Sequence, residues 1–261
     1  MGILDSFSLK GKVVLVTGGP GLYGRQEVEA VAEAGATTYT ADLHLEAARK
    51  QAEALRDRGY DVTALAYDQG DECSILPLCE AILERSGKID VLVNNAVGLP
   101  GTGDLKDEGR IFAESVRINA TGLFVITRAF GDAMKKQGSG SIINIGSIHG
   151  LIGPDLNIYR GTTMTAWYPE YFFNKGGMIN FTRFMGSYYG QHGIRCNCVC
   201  PGGYRTDDHP DAFVRQYSER TFLGRLAGDM DLRGIIVFLS SDASAYISGA
   251  IIPVDGGYVA R

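Results

Sequence analysis

The stretch Lys12-Val-Val-Leu-Val-Thr17, followed at once by Gly18-Gly-Pro-Gly-Leu-Tyr-Gly24, decides the fold of this chain. The first six residues are mostly β-branched and show no apolar–polar alternation, which is typical of a parallel strand buried on both faces. A helical stretch from Arg25 to about Ala34 follows, and Gly35 ends it. Glycines let a backbone turn tightly, and a helix N-terminus attracts phosphate. The pattern predicts a pyrophosphate-binding turn; a glycine-rich turn that binds nothing is the alternative.

A second predicted strand, Thr37 to Ala41, ends at Asp42. A carboxylate at this distance from the glycine-rich turn can accept hydrogen bonds from an adenosine ribose and would repel a 2′-phosphate. No arginine follows until Arg49, so NAD(H) is predicted in preference to NADP(H). Asp42 can also cap the predicted helix His44 to Arg58, and both roles can hold together.

The same alternation of strand and helix continues to the end of the chain. Further strands are predicted at Asp61–Ala66, Val91–Val93, Ser141–Ile145, Ile194–Val199 and Ala250–Val254, with helices at Ser74–Ser86, Glu108–Gln137 and Tyr171–Tyr189. This order predicts an α/β fold with a doubly wound, seven-stranded parallel sheet and helices on both faces. We expect one domain spanning residues 1–261, because no linker or internal repeat interrupts the pattern.

Bulk composition excludes several classes of protein. The net charge of −5 argues against nucleic-acid binding. No apolar run is long enough to span a membrane and no signal sequence begins the chain, so a cytoplasmic location is expected. The five cysteines are Cys73, Cys79, Cys196, Cys198 and Cys200. Their spacing suits neither a tetrahedral metal site nor a disulfide, and we expect no metal.

The pair Tyr171 and Lys175 provides candidate acid–base chemistry. Residues four apart on a helix share one face, so the phenol and the ammonium can reach one site. A neighbouring cation favours the phenolate, which predicts that the pKa of Tyr171 lies below its ordinary value of about 10. Such a tyrosine can exchange a proton with an alcohol or a carbonyl. The alternative is a core tyrosine with a lysine extending beside it.

Together these residues resemble the short-chain dehydrogenase/reductase family over essentially the whole chain. The positions that carry the resemblance are Thr17, Gly18, Gly21, Gly24, Asp42, Asp68, Asn94-Asn95-Ala96, Asn119, Ser147, Tyr171, Lys175, Asn197, Pro201-Gly202 and Asp255-Gly256-Gly257. The resemblance implies a Rossmann fold that binds a nicotinamide dinucleotide.

The resemblance also implies a catalytic group of four residues. In such enzymes Tyr171 would be the general acid/base, and Lys175 would lower its pKa and hold the nicotinamide ribose. Ser147 would hydrogen-bond the reacting oxygen, and Asn119 would help to hold a water molecule. Cofactor contacts are implied at Gly18, Gly21, Leu22, Tyr23, Gly24, Asp42, Leu43, Asp68, Gln69, Asn95, Ala96, Tyr171, Lys175, Pro201, Gly202 and Thr206.

The glycine-rich turn departs from the compact branch of the family. Leu22 stands where that branch usually has a second glycine, and the spacing matches the longer, epimerase-like branch instead. A nucleotide-sugar epimerase or dehydratase is therefore an alternative function, although such enzymes generally carry a separate substrate-binding portion. A dinucleotide-sensing protein without catalysis is a further alternative, which the presence of Ser147, Tyr171 and Lys175 disfavours.

Two long loops, at about 150–170 and 203–223, are predicted to cover the substrate. The segment Pro154–Glu170 lengthens the Ser147-to-Tyr171 interval beyond what is usual in the family, and loops of this length are commonly functional. Candidate substrate contacts are Ser147, His149, Arg160, Trp167, Tyr171, Gly203 and Arg205. Their polar and aromatic character predicts a sugar, sugar acid or polyol, and a 3-oxoacyl thioester is the alternative.

Three of these side chains have open roles. Arg160 or Arg205 can bind a carboxylate or phosphate, or can be plain solvated surface. His149 can contact the substrate or simply pack.

The helix that begins at Tyr171 has more apolar side chains than one core-facing stripe needs, which predicts a homo-oligomer. The family resemblance implies a tetramer.

Overall fold

Seven parallel strands form one sheet in the order β3-β2-β1-β4-β5-β6-β7. The computed structural model describes residues 2–103, 105–164 and 168–260. The strands are β1 Val13–Thr17, β2 Thr37–Asp42, β3 Val62–Ala66, β4 Val91–Asn94, β5 Gly140–Ile145, β6 Ile194–Pro201 and β7 Ile251–Val254. The predicted doubly wound parallel sheet is confirmed.

Eight α-helices cover the sheet within the described ranges. They are α1 Gly24–Glu33, α2 Leu45–Asp57, α3 Glu72–Ser86, α4 Gly109–Val116, α5 Leu123–Gln137, α6 Pro169–Gly190, α7 Asp211–Ser218 and α8 Arg233–Ser240. None of the helices in the described residues is long and apolar enough to cross a membrane.

Alternate side chains of the strands enter two separate apolar cores. On one face, Leu15 and Ile142 pack with Phe130 of α5 and Tyr189 of α6. On the other face, strand residues pack with side chains of α1, α2 and α8, namely Val14, Val16, Val93, Ile143, Val28, Val31, Ala52, Leu55, Ile236 and Leu239. Because both faces are covered by helices, the strands are apolar on both sides, as predicted.

The strand order reverses at β1, which pairs with β2 on one side and with β4 on the other. In open parallel sheets the chain leaves such a pair of strands in opposite directions, and a crevice opens above their carboxyl ends. The glycine-rich turn follows β1, and Asn95 follows β4, so both lie at this crevice.

The predicted long helical stretch from Glu108 to Gln137 is confirmed, but its middle is a π-helix rather than an α-helix. Helix α4 ends at Val116, and Arg117–Gly122 form a π-helical segment before α5 begins. The Asn119 side chain lies in this segment, donating to Gly98 O at 2.7 Å and to Ser115 O at 3.0 Å. Wide turns of this kind occur where a side chain draws the helical backbone out of register, often at functional sites.

The predicted loop at 203–223 is also wrong in part, because it contains helix α7. Pro210 precedes the helix and Asp211 occupies its first turn, a favourable place for a negative charge. Phe213 and Tyr217 of α7 pack against Ile158 and Tyr258. The helix therefore joins the two loops that were predicted to cover the substrate.

Candidate active site

One cavity of about 710 Å³ opens at the carboxyl ends of the central strands. Fourteen of the sequence-predicted site residues line it: Gly18, Gly21, Leu22, Tyr23, Asp42, Leu43, Asp68, Gln69, Asn95, Ala96, His149, Tyr171, Gly203 and Thr206. The cavity runs from the predicted adenosine end at Asp42 to Tyr171 and the two loops. Its size suits a ligand of several rings.

The glycine-rich turn has backbone conformations that require glycine. Gly18 adopts φ +67°, which L-residues with a side chain rarely adopt. A Cβ added to Gly24 would lie 2.2 Å from Gly18 O and 2.8 Å from Asn95 Nδ2. Asn95 Nδ2 in turn donates to Thr17 O and Gly18 O, at 2.9 Å each. This close-packed turn at the start of α1 fits the pyrophosphate of a dinucleotide.

Asp42 lines the cavity, but the capping role predicted for it is wrong, because the N-cap residue of α2 is His44 and no side-chain hydrogen bond caps that helix. Its Oδ1 accepts the His44 backbone N–H at 2.7 Å, just before α2 begins. Asp68 accepts the Gly70 backbone N–H at 2.8 Å and lines the cavity too. Two carboxylates thus stand at the predicted adenosine end. Carboxylate oxygens can accept hydrogen bonds from the hydroxyls and the amino group of an adenosine.

Tyr171 lines the cavity, whereas the other three members of the predicted catalytic group lie just beneath its surface. The exposed fractions are 5% for Ser147, 5% for Lys175 and 7% for Asn119. Ser147 follows β5, and its Oγ accepts the His149 backbone N–H at 3.1 Å. The Ser147 side chain also interacts with the Tyr171 hydroxyl and lowers its pKa in part. Ser147 and Tyr171 can therefore approach one reacting oxygen atom.

The predicted direction of the Tyr171 pKa is wrong for this structure. Burial raises the pKa of the phenol, and this outweighs the lowering by Ser147. Lys175 Nζ donates to Ile145 O at 2.5 Å and lies 5.7 Å from the centre of the Tyr171 ring. Burial lowers the pKa of Lys175 to about 8. Because the Lys175 ammonium donates to a carbonyl of β5, it does not offset the effect of burial on the pKa of Tyr171.

Asn119 is held through its whole amide group. Besides donating to Gly98 O, it accepts the Gly98 backbone N–H at Oδ1, at 2.9 Å. Its Nδ2 also lies 3.1 Å from Ser115 Oγ, which accepts from Asn174 Nδ2 at the same distance. The Asn119 amide is thus engaged at both its oxygen and its nitrogen, which ties the π-helical segment to the Gly98 backbone.

The His149 side chain packs against neighbouring rings and also lines the cavity. Its ring centre is 4.7 Å from that of Phe172 and 6.5 Å from that of Tyr171. Burial lowers the pKa of His149, so its imidazole is neutral near pH 7. Its Nδ1 is buried and has no hydrogen-bond partner among the described residues.

Several predicted site residues lie outside the cavity lining. Gly24, Pro201 and Gly202 are not among the lining residues, although Gly202 O accepts the hydroxyl of the lining residue Tyr23 at 2.6 Å. Arg160 is exposed and does not line the cavity, and the Arg205 guanidinium donates to His209 O at 3.3 Å. Trp167 lies outside the described residues.

Eleven further lining residues were not among the predicted site residues: His44, Tyr67, Val97, Gly98, Leu99, Ile118, Tyr168, Phe172, Tyr204, His209 and Phe213. Tyr168, His209 and Phe213 belong to the two loop regions that were predicted to cover the site, so their neighbourhood was indicated. Which side chains of those loops face inward depends on the helix α7, which was not predicted. The described residues contain no group of three or more His, Cys, Asp or Glu that could hold a metal ion.

Glu27 is a buried carboxyl group that the sequence did not single out. It lies on α1, one turn after Tyr23, and has an exposed fraction of 0%. Neither of its carboxyl oxygens has a hydrogen-bond partner among the described residues. Burial raises the pKa of Glu27 to about 8, although the charge of Lys175 opposes this. An unpartnered buried carboxyl is stable mainly in its neutral form.

The raised pKa of Glu27 makes folding stability depend on pH. Below the unfolded-state pKa of about 4.3 the carboxyl is neutral in both the folded and the unfolded state, so it does not reduce the free energy of unfolding. As the pH rises from there through the folded-state pKa, the free energy of unfolding falls. Glu27→Gln lacks this titration. We therefore expect its free energy of unfolding, relative to that of the wild type, to increase by on the order of 2–4 kcal/mol when the pH is raised from about 5 to about 8. Urea unfolding at both pH values measures this difference. Exposed Glu53 on α2, changed to Gln, is the control; an equal pH response in both variants would contradict the expectation.

Comparison with known proteins agrees with this geometry. A family model described as enoyl-(acyl carrier protein) reductase matches residues 23–259. L-rhamnose 1-dehydrogenase (NAD(P)(+)) of Sphingomonas sp. (strain SKA58) is 34% identical over 256 residues, which cover 95% of this chain and 96% of that protein. A short-chain type dehydrogenase/reductase from Mycobacterium marinum matches with a TM-score of 0.89 at 28% identity, covering 100% of both chains. The chain belongs to the short-chain dehydrogenase/reductase family.

Two further members of the family have ligands named in their structures. A gluconate 5-dehydrogenase from Burkholderia cenocepacia J2315, in complex with NADP and tartrate, has a TM-score of 0.89 and 28% identity over 100% of both chains. An NAD⁺-bound xylitol dehydrogenase has a TM-score of 0.86 and 25% identity, covering 95% of this chain and 99% of that one. The chain is thus a short-chain oxidoreductase that uses a nicotinamide dinucleotide, with sugar and polyol dehydrogenases among its relatives.

Proposed function

We propose that this protein interconverts an alcohol and a carbonyl on a sugar or polyol, with Tyr171 as the general acid/base. One observation carries the proposal: the Tyr171 phenol faces the same cavity as the glycine-rich turn and has the Ser147 hydroxyl beside it. Hydride transfer needs a proton donor or acceptor next to the reacting oxygen. Relatives named rhamnose, gluconate and xylitol dehydrogenases support the substrate class.

The residues divide the work of the reaction. A bound nicotinamide ring would supply or accept the hydride. In alcohol oxidation the Tyr171 phenolate takes the proton that leaves the substrate oxygen, and in the reverse direction the Tyr171 hydroxyl returns it. Ser147 donates a hydrogen bond to that oxygen and stabilises developing negative charge. Lys175 would hold the nicotinamide ribose.

NAD(H) is the proposed cofactor, in preference to NADP(H), because the Asp42 carboxylate lines the adenosine end of the cavity. The Asp42→Asn variant keeps an oxygen that can accept the His44 N–H but removes the charge. We expect it to raise the ratio of kcat/KM for NADP⁺ over NAD⁺ by about 10-fold or more. Exposed Asp57 on α2, changed to Asn, should leave the ratio unaltered. An unchanged ratio in Asp42→Asn would contradict the role of this charge.

The reaction class is tested by mixing the enzyme with NAD⁺ and L-rhamnose, xylitol or D-gluconate and following absorbance at 340 nm. A net rise in absorbance, with a ketone or lactone as product, supports the proposal. Conversion of a sugar at constant absorbance would instead indicate an epimerase. Activity confined to 3-oxoacyl thioesters would contradict the proposed substrate class.

The oligomeric state is part of the proposal. Helix α6 exposes Phe173, Phe184 and Tyr188, with exposed fractions of 62%, 61% and 47%. A water-facing row of aromatic side chains on one helix favours association with another copy of the chain. We propose a homotetramer of single-domain subunits in the cytoplasm.

A further inference from the structure

The loop end of the cavity is lined by neutral aromatic and imidazole groups. Besides Tyr171, this lining includes Tyr168, Phe172, Phe213, His149 and His209, of which His149 and Phe172 contact the Tyr171 ring. No lysine or arginine in the described ranges lines the cavity anywhere. The two carboxylates of the lining, Asp42 and Asp68, belong to the other end, after β2 and β3.

The described arginines of the two loops do not line the cavity. The Arg220 guanidinium pairs with Asp155 at 2.5 Å, and Arg205 donates to His209 O. Arg160 is exposed, and its backbone carbonyl accepts Gln216 Nε2 at 3.0 Å. Lys175 lies near Tyr171 but is buried, outside the lining, and donates to Ile145 O. A carboxylate or phosphate bound in this part of the cavity would therefore lack a cationic partner in the described lining, and a buried unpaired anion is strongly disfavoured.

His209 has a hydrogen-bonding pattern that fixes its tautomer. Its Nδ1 accepts the Thr206 backbone N–H at 3.3 Å, so the proton of the neutral ring is on Nε2. Burial, with a contribution from Arg205, lowers the pKa of His209 and keeps the ring neutral near pH 7. The ring is packed against Phe213, with 4.9 Å between centres. Its Nε2–H is thus a neutral donor in the lining of the cavity.

Phe213 is itself held firmly in this wall. Its ring stacks on Tyr159 at 5.6 Å with 20° between planes and contacts Tyr217 at 5.7 Å. A fixed aromatic wall presents an apolar face, whereas the neighbouring imidazole presents a donor. A sugar or polyol has the same two features, C–H faces and hydroxyl oxygens.

We propose that the substrate is an uncharged sugar or polyol rather than a sugar acid or sugar phosphate, and that His209 Nε2–H donates to one of its oxygen atoms. This inference rests on the proposed function and narrows it. It assigns the specificity of the site to His209 and to the absence of a paired cation beside Tyr171 in the described lining.

The test compares substrates of equal length that differ in charge. We expect kcat/KM for D-glucitol to exceed that for D-gluconate by at least about tenfold with NAD⁺. Glucose 6-phosphate, oxidised at its carbon 1, should be poorer than glucose by a similar factor. Equal or better turnover of the two anions would overturn the inference while leaving the oxidoreductase proposal intact. Absence of turnover with all four, in enzyme that still binds dinucleotide, would overturn both.

Variants at His209 test the donor. His209→Leu should raise KM for the neutral substrate about tenfold with little change in kcat, and His209→Gln, which retains an N–H, should restore much of the loss. Dinucleotide affinity should stay at the wild-type value in both, which verifies folding. Arg160→Gln is the control for a cation outside the cavity, and we expect no change with either substrate. Unaltered KM in His209→Leu, or loss of gluconate turnover in Arg160→Gln, would overturn the assignment.

Discussion

Replacing Tyr171 by phenylalanine is expected to lower kcat by about 10³-fold, while dinucleotide affinity stays within about threefold of wild type. The change removes only the hydroxyl that exchanges the proton. The ring remains packed against Phe172, with 6.0 Å between centres, and against His149. Stopped-flow reduction of NAD⁺ and fluorescence titration of the dinucleotide measure the two quantities separately.

Tyr168 provides a matched control for this variant. It is three residues earlier, lines the same cavity and carries the same hydroxyl. The Ser147 hydroxyl interacts with the Tyr171 hydroxyl, and no such interaction of Ser147 with Tyr168 is seen among the described residues. Tyr168→Phe should therefore keep at least about a tenth of the wild-type kcat. Similar losses in the two variants would contradict the assignment of the acid/base to Tyr171.

The second large effect is expected at Gly24. A methyl group there would lie 2.2 Å from Gly18 O, so the turn between β1 and α1 must shift. We expect Gly24→Ala to weaken dinucleotide binding by about 100-fold or more and to destabilise the fold by about 1–3 kcal/mol. Titration with NADH and urea unfolding measure the two losses.

Gly234 on α8 is the control for this substitution. A Cβ added there meets no atom within 4 Å, and the position is helical and exposed. Gly234→Ala should therefore keep the affinity for NADH and gain up to about 1 kcal/mol of stability, because alanine favours helix. Wild-type affinity in Gly24→Ala would show that the turn does not hold the dinucleotide.

Local sequence patterns were sufficient to predict the sheet. Inner strands such as β1 and β4 are buried along their whole length, and a continuous β-branched run such as Val13–Thr17 has few other stable environments. The π-helical segment at Arg117–Gly122 was not predictable in the same way. It depends on the contact between Asn119 and the Gly98 backbone. These two residues are 21 positions apart in the sequence and meet only in the folded chain.

The site was predictable in its positions but less so in its electrostatics. Motif spacing brought Gly18, Asp42 and Tyr171 correctly to one cavity. The direction of the Tyr171 pKa failed because helical spacing does not show that Lys175 donates to Ile145 O. Glu27 could have been singled out from the sequence, because it places a carboxyl group four residues after Tyr23, on the face of α1 that is buried.

The acid/base role of Tyr171 requires its phenol to become more acidic when the oxidised dinucleotide binds, because the nicotinamide ring then carries a positive charge. Tyrosine labelled with ¹³C at Cζ, with the Tyr171 signal identified by its absence from Tyr171→Phe, reports this titration by NMR. We predict a midpoint above about 10 in the free enzyme, where burial dominates, and a midpoint clearly below about 10 with saturating NAD⁺. A midpoint that stays above about 10 with NAD⁺ bound, in enzyme that is active near pH 7, would contradict proton transfer by Tyr171.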